Sequence, residues 1–188
     1  MRRIGFVLAV ALMLAATGAR AEVRPEFRPF VGAYVPIGDQ ADALKQAVMV
    51  GGQVGVEVGD MLHVLGTFAY ATPGAKNVAG NADVHVYQYD IGAEAFRTLP
   101  MATDWTFRPF VGLGAGARTH DFYRRDDVKA QTYMAGYGAL GAEFQLNRIA
   151  LRVEARDYVT RFKGLFGNDG AQARNDLMMG AGIAFHFW

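Results

Sequence analysis

Arg152, Glu154 and Arg156 stand at positions i, i+2 and i+4. In an extended chain that spacing puts all three side chains on one face, with a carboxylate between two guanidiniums. Such a row can neutralise itself as a buried charge network, line a polar conduit, or hold a substrate. Other candidates for chemistry are few. Cysteine and serine are both absent, which removes disulfides, thiolate metal sites, a lipid-modified cysteine and every cysteine or serine nucleophile. A histidine and carboxylate pair that activates water is the enzymatic chemistry left open. The four histidines, His63, His85, His120 and His186, are dispersed, and no pair has metal-ligand spacing. The expectation is therefore no metal and no cofactor.

The walls that position such residues are strands. Eight segments alternate with period two, at about 26–37, 47–58, 61–71, 83–97, 105–118, 128–144, 148–161 and 176–188. In the second, Val48, Val50, Val54, Val56 and Val58 share one face, and Gln53, Gly55 and Glu57 share the other. A soluble sandwich would carry a solvated polar row with few glycines, whereas this polar row is narrow and glycine-rich. The last segment alternates up to the final residue, Trp188, and a closed barrel in lipid pairs such an edge. The expected fold is all-β, an eight-stranded antiparallel up-and-down transmembrane β-barrel. Short turns at Gly59-Asp60 and Gln145-Leu146-Asn147 alternate with longer polar connections, and 98–104 is longer than a minimal turn.

Phe27-Arg28-Pro29-Phe30-Val31-Gly32 recurs as Phe107-Arg108-Pro109-Phe110-Val111-Gly112, 80 residues later. The repeat supports two halves of four strands, with Pro29 and Pro109 near the rim where their strands begin.

Residues 1–21 read as a secretory signal peptide: Arg2 and Arg3, an apolar run from Ile4, and Ala19-Arg20-Ala21 before Glu22. The run is too short to cross a bilayer as a helix. Residues 22–188 then form one barrel domain. Loss of the leader takes Arg2, Arg3 and Arg20 from 19 basic residues and none of the 18 acidic ones, leaving a formal charge of −2. Bases alternate with acids, so no nucleic acid partner is expected.

If the apolar rows face lipid, the opposite rows collect Arg28, Glu57, Asp90, Glu94, Arg108, Arg152, Glu154 and Arg156 inside. Four bases balance four acids, as a closed interior filled by side chains requires. Gly136 and Gly138, Gly180 and Gly182, and Gly112, Gly114 and Gly116 are expected to leave room for the arginines. Glu143 falls in phase with Tyr133 and Tyr137, which are expected to look outward, so a bulge or rim position should accommodate it. Tyr70, Tyr87, Tyr89 and Trp105 complete an expected aromatic girdle. His63 and His186 are placed inward near one rim, His85 at a strand start, and His120 in a polar loop with Arg124 and Arg125. That loop is the candidate for surface recognition, its arginines suited to lipopolysaccharide phosphates.

The signal, the strand count and the ending Gly182-x-x-Phe185-x-Phe187 resemble the small eight-stranded outer-membrane barrels of the OmpA and OmpX type. The resemblance spans residues 22–188, although Trp188 extends one residue past the in-phase aromatic. It implies an outer-membrane location, contact with outer-membrane lipid and lipopolysaccharide, and Gly182, Phe185 and Phe187 as the signal read by the barrel-assembly machinery. Nothing resembles a peptidoglycan-binding domain, and nothing sets an oligomeric state. The expected function is structural or surface-interacting. A narrow channel is second and a lipid-modifying enzyme third.

Overall fold

The computed structural model describes residues 23–38, 41–42, 44–76, 84–101, 104–122, 130–162 and 172–187. The strands are β1 (Val23–Pro36), β2 (Ala47–Val58), β3 (Leu62–Ala71), β4 (Val84–Phe96), β5 (Leu99–Pro100), β6 (Trp105–Phe122), β7 (Gln131–Leu146), β8 (Ile149–Phe162) and β9 (Gln172–His186). The eight long ones each pair antiparallel with the next, and β1 pairs with β9. Closure leaves no unpaired edge, so each long strand has a ladder partner on both sides.

At one end, here the turn end, Gly59 takes φ +65 between β2 and β3, and Asn147 takes φ +55 between β7 and β8. Glycine and asparagine tolerate that left-handed region. The long 98–104 connection also has a simple cause. Leu99 and Pro100 pair with Phe107 and Thr106 in the register set by Phe96 and Phe110, so the β4–β6 hairpin continues until Met101 N–H donates to the Trp105 carbonyl at 3.0 Å. The other end, the loop end, carries the connections 37–46, 72–83, 123–130 and 163–171.

The repeated hexapeptides occupy equivalent places. Arg28 and Pro29 interrupt the β1–β9 register between Phe27–Phe185 and Phe30–Gly182. Arg108 and Pro109 interrupt the next ladder between Phe107–Leu99 and Phe110–Phe96. Proline has no N–H to give, so a gap at each is required. Both prolines lie inside their strands, however, because β1 starts before residue 26 and β6 is continuous with the hairpin extension.

Alternation divides the wall. Val48 (71% exposed), Val54 (61%), Leu113 (71%) and Ile183 (46%) look outward, while Gln53, Glu57, Glu154 and Arg156 are buried. Three expectations need correction. On β7 the odd residues face inward, so Tyr137 and Glu143 are buried and Gly136 and Gly138 look outward. Tyr133 shares that inward row, its ring 6.3 Å from that of His120. The cause is room: a methyl on Gly114 or Gly92 would collide with the Tyr137 ring or hydroxyl, and those glycines admit it. Second, His120 lies within β6 and is buried, since the β4–β6 and β6–β7 ladders run on past residue 118. Third, β9 begins at Gln172, paired with Phe162, where a loop was expected. Residues 1–21, Arg124, Arg125 and Trp188 lie outside the described residues.

Candidate functional site

The lumen is the structured polar site of this barrel, and it is filled in layers. Nearest the turn end, Arg28 extends from β1 and is fully buried. It pairs with Glu26 beside it and Glu94 of β4 (3.3 Å), with Glu143 of β7 at 3.9 Å. Arg108 from β6 meets Glu57 at 2.8 Å and Glu143 at 3.5 Å, its guanidinium 4.0 Å over the Phe96 ring. Two histidines converge on Glu26: His63 Nε2 and His186 Nδ1 stand 3.7 and 3.5 Å from its Oε2. His63 also reaches Glu57 (3.3 Å), and His186 reaches Glu143 (3.4 Å). A charge removed from water needs such compensation, since an isolated one costs far more than a neutral polar group.

Midway, the triad on β8 organises the wall. Arg152 Nη2 donates to Glu94 at 2.5 Å and to Glu154 at 2.8 Å, and its guanidinium lies 3.7 Å over the Phe110 ring. Gln53 Nε2 donates to Glu154 at 2.8 Å. Arg156 contacts Asp90 (3.3 Å) and Thr67 (3.0 Å), and the Tyr158 hydroxyl donates to Asp90 at 2.9 Å. Phe30 and Phe110 project beside Gly51 and Gly141, positions where a methyl would meet the ring.

Toward the loop end the filling becomes largely apolar. Tyr34, Met49, Ala71, Val84, Val86 and Met178 form a buried cluster, and Leu44 from the 37–46 connection packs into it. Arg118 bridges this layer by pairing with Asp176 and donating to Gln88 at 2.8 Å, while Tyr34 donates to Asp176 at 3.2 Å. The two connections above are tied together. Lys45 N–H donates to the Gly74 carbonyl at 2.9 Å, Leu44 bridges to Ala75, and Lys76 Nζ donates to the Ala41 carbonyl at 2.5 Å.

A closed wall with an apolar exterior and an ion-paired interior is what a bilayer requires of a strand protein, and residues 6–187 match the outer membrane protein beta-barrel domain family. The chain belongs to that family. Its location is the outer membrane, and no helix among the described residues is long and apolar enough to cross. Neisserial surface protein A aligns with a TM-score of 0.55 at 12% identity, covering 87% of this chain and 97% of that one. The N-terminal β-barrel domain of Pseudomonas aeruginosa OprF aligns at 0.49 and 14% identity over 87% and 97%. Ail of Yersinia pestis aligns at 0.48 and 11% identity over 90% and 100%. At such identities the likeness is one of fold. No curated protein sequence matches the chain.

In this outer-membrane barrel all eight lumenal residues named from the sequence are buried: Arg28, Glu57, Asp90, Glu94, Arg108, Arg152, Glu154 and Arg156. The inventory is wider than four against four. Glu26, Glu143, Asp176 and Arg118 join it, so seven carboxylates and five guanidiniums are buried among the described side chains. Glu26, Asp176 and Arg118 share the parity of inward neighbours on their own strands, which is the signal that would have found them. The acid excess is concentrated beside His63 and His186, and Arg24 adds a further contact to Glu57 at 3.5 Å from the turn-end mouth. Of the terminal motif, Gly182 faces inward beside Phe30, while Phe185 and Phe187 look outward. Phe187 N–H donates to the Pro25 carbonyl at 3.0 Å, next to the closing seam.

Proposed function

We propose that this barrel serves as an outer-membrane scaffold that works at its loop-end surface and not through its lumen, in a structural or surface-interaction role. The supporting observation is the filling: ion pairs occupy the lumen from Glu26 to Asp90, and Leu44 packs into the apolar layer above them. An interior so compensated contributes shape and stability, and leaves the connections as the variable surface. Residues 1–21 act as a cleaved export signal and residues 22–188 as the mature barrel. The loop end faces outward, in contact with lipopolysaccharide. Arg124 and Arg125 remain surface candidates, now without His120. Gly182, Phe185 and Phe187 serve as the assembly signal, a reading supported by the two aromatics lying outward at the β1–β9 seam. No reaction is assigned to the site.

The absence of cysteine makes the orientation simple to test. Single-cysteine variants at exposed Lys45 and Asp42 of the loop end, and at exposed Asp60 of the turn end, are treated on intact cells with a membrane-impermeant maleimide. Labelling at 45 and 42 with none at 60 is expected. Labelling at 60 alone overturns the proposed orientation.

A further inference from the structure

The outer wall is not uniform around the barrel. One cross-strand row runs Tyr70–Tyr87–Thr119–Thr132 over β3, β4, β6 and β7, each residue directly opposite the next. These side chains share the outward parity of Phe68, Ile91 and Met134, which are 53%, 51% and 72% exposed. They are joined into one surface. The Tyr70 and Tyr87 rings lie 5.2 Å apart, and the Tyr70 hydroxyl and His85 Nδ1 are 2.5 Å apart. The Tyr89 hydroxyl contacts Thr119, whose hydroxyl lies 2.8 Å from that of Thr132. Asp121, in register with His85, adds a carboxylate at the upper border. On the other flank, the outward residues toward the loop end are Val35, Val48, Val159 and Leu177, with Asp157 and Asn175 as polar exceptions and no aromatic ring among the described side chains.

We propose that this flank is a binding shelf for the saccharide headgroup of a glycolipid in the leaflet at the loop end. The inference rests on the outward orientation of that end. Its composition selects the occupant. Phe68, Ile91 and Met134 offer acyl chains an apolar wall immediately below the row. The row itself presents ring faces and hydroxyls, which match the C–H face and hydroxyl edge of a sugar. Three inter-strand steps span about 15 Å, enough for a disaccharide. A phospholipid headgroup would leave most of these hydroxyls without new partners. Aromatic anchoring alone would distribute rings around the whole circumference, whereas at the loop end the outward rings among the described side chains stand on two adjacent strands beside a threonine ladder.

The test uses the full-length protein in nanodiscs containing either rough lipopolysaccharide or phosphatidylglycerol, with lipid retention read by native mass spectrometry after release. Both leaflets of a disc carry the probe, so the outcome is independent of orientation in cells, and failure of the shelf is distinguishable from failure of the proposed function. The wild type should retain lipopolysaccharide at least tenfold over phosphatidylglycerol. Tyr87→Leu combined with Thr119→Val should remove that preference, and Met179→Leu on the opposite flank should leave it intact. Tyr70→Phe, which removes one hydroxyl and keeps the ring, should reduce it even if the double variant fails to fold. Equal retention of both lipids, or an unchanged preference in the folded Tyr87 and Thr119 variant, overturns the proposal.

Discussion

Glu94 and Arg152 meet across the lumen at 2.5 Å although their strands, β4 and β8, share no ladder. Glu94 also holds Arg28 at 3.3 Å, so one carboxylate ties three walls together. Glu94→Ala takes one partner from each of two buried guanidiniums, Arg28 keeping Glu26 and Arg152 keeping Glu154, so the loss should stay below the roughly 3–5 kcal/mol of an uncompensated buried charge. The temperature at which the compact gel band converts to the unfolded one should fall accordingly, and less for Glu94→Gln, which keeps an acceptor. Glu154→Ala, which frees Arg152, Arg156 and Gln53, should act in the same direction. An unchanged transition in both alanine variants would count against the inward network.

Tyr137 fills the space above Gly114. Gly114→Ala should therefore destabilise by about 1–3 kcal/mol, the usual cost of overpacking. With Tyr137→Ala present the same change should cost less, the Ile91 carbonyl 2.5 Å from the added methyl accounting for what remains, and a double-mutant cycle of unfolding free energies measures that coupling. Additive effects would place the tyrosine elsewhere.

The outer face makes an independent demand. Val54→Lys and Leu113→Lys put a charge on exposed lipid-facing positions, at a cost of roughly 2–4 kcal/mol near the bilayer midplane. Gln53→Leu, one residue from Val54 but inward, loses its contacts to Glu154 and Arg28 without adding a charge and should lose less. Equilibrium unfolding in lipid vesicles reads the difference, and a reversed order would invert the faces.

Leu44 is an apolar contact through which the 37–46 connection enters the lumen. Leu44→Ala should loosen that connection and its tie to Gly74 and Ala75, so limited proteolysis should cut it several times faster while the strands stay intact. No change in cleavage would mean that the backbone tie alone holds it.

Period-two alternation reveals the strand faces wherever a strand alternates cleanly, as β2 and β8 do, and the eight lumenal residues follow from it. It misleads on β7, where Tyr133 and Tyr137 suggest an interface by residue type. The direction of Tyr137 depends on glycines of other strands, Gly92 and Gly114, that are invisible from one segment alone. His63 and His186 are far apart in sequence and meet at Glu26 only because the barrel closes between β1 and β9. Leu44 lies in a connection, where no periodicity marks a buried residue. Strand ends at the loop end were legible only roughly, since Thr119 and His120 read as polar loop residues while their backbone continues a ladder.

Side chains from every long strand meet in the lumen, and on the proposed function they shut it. The most direct test of that closure is single-channel recording in planar bilayers, using protein first shown to run as the compact, heat-convertible band. Silence across a wide voltage range is expected. Steady unitary currents from that same sample would contradict it.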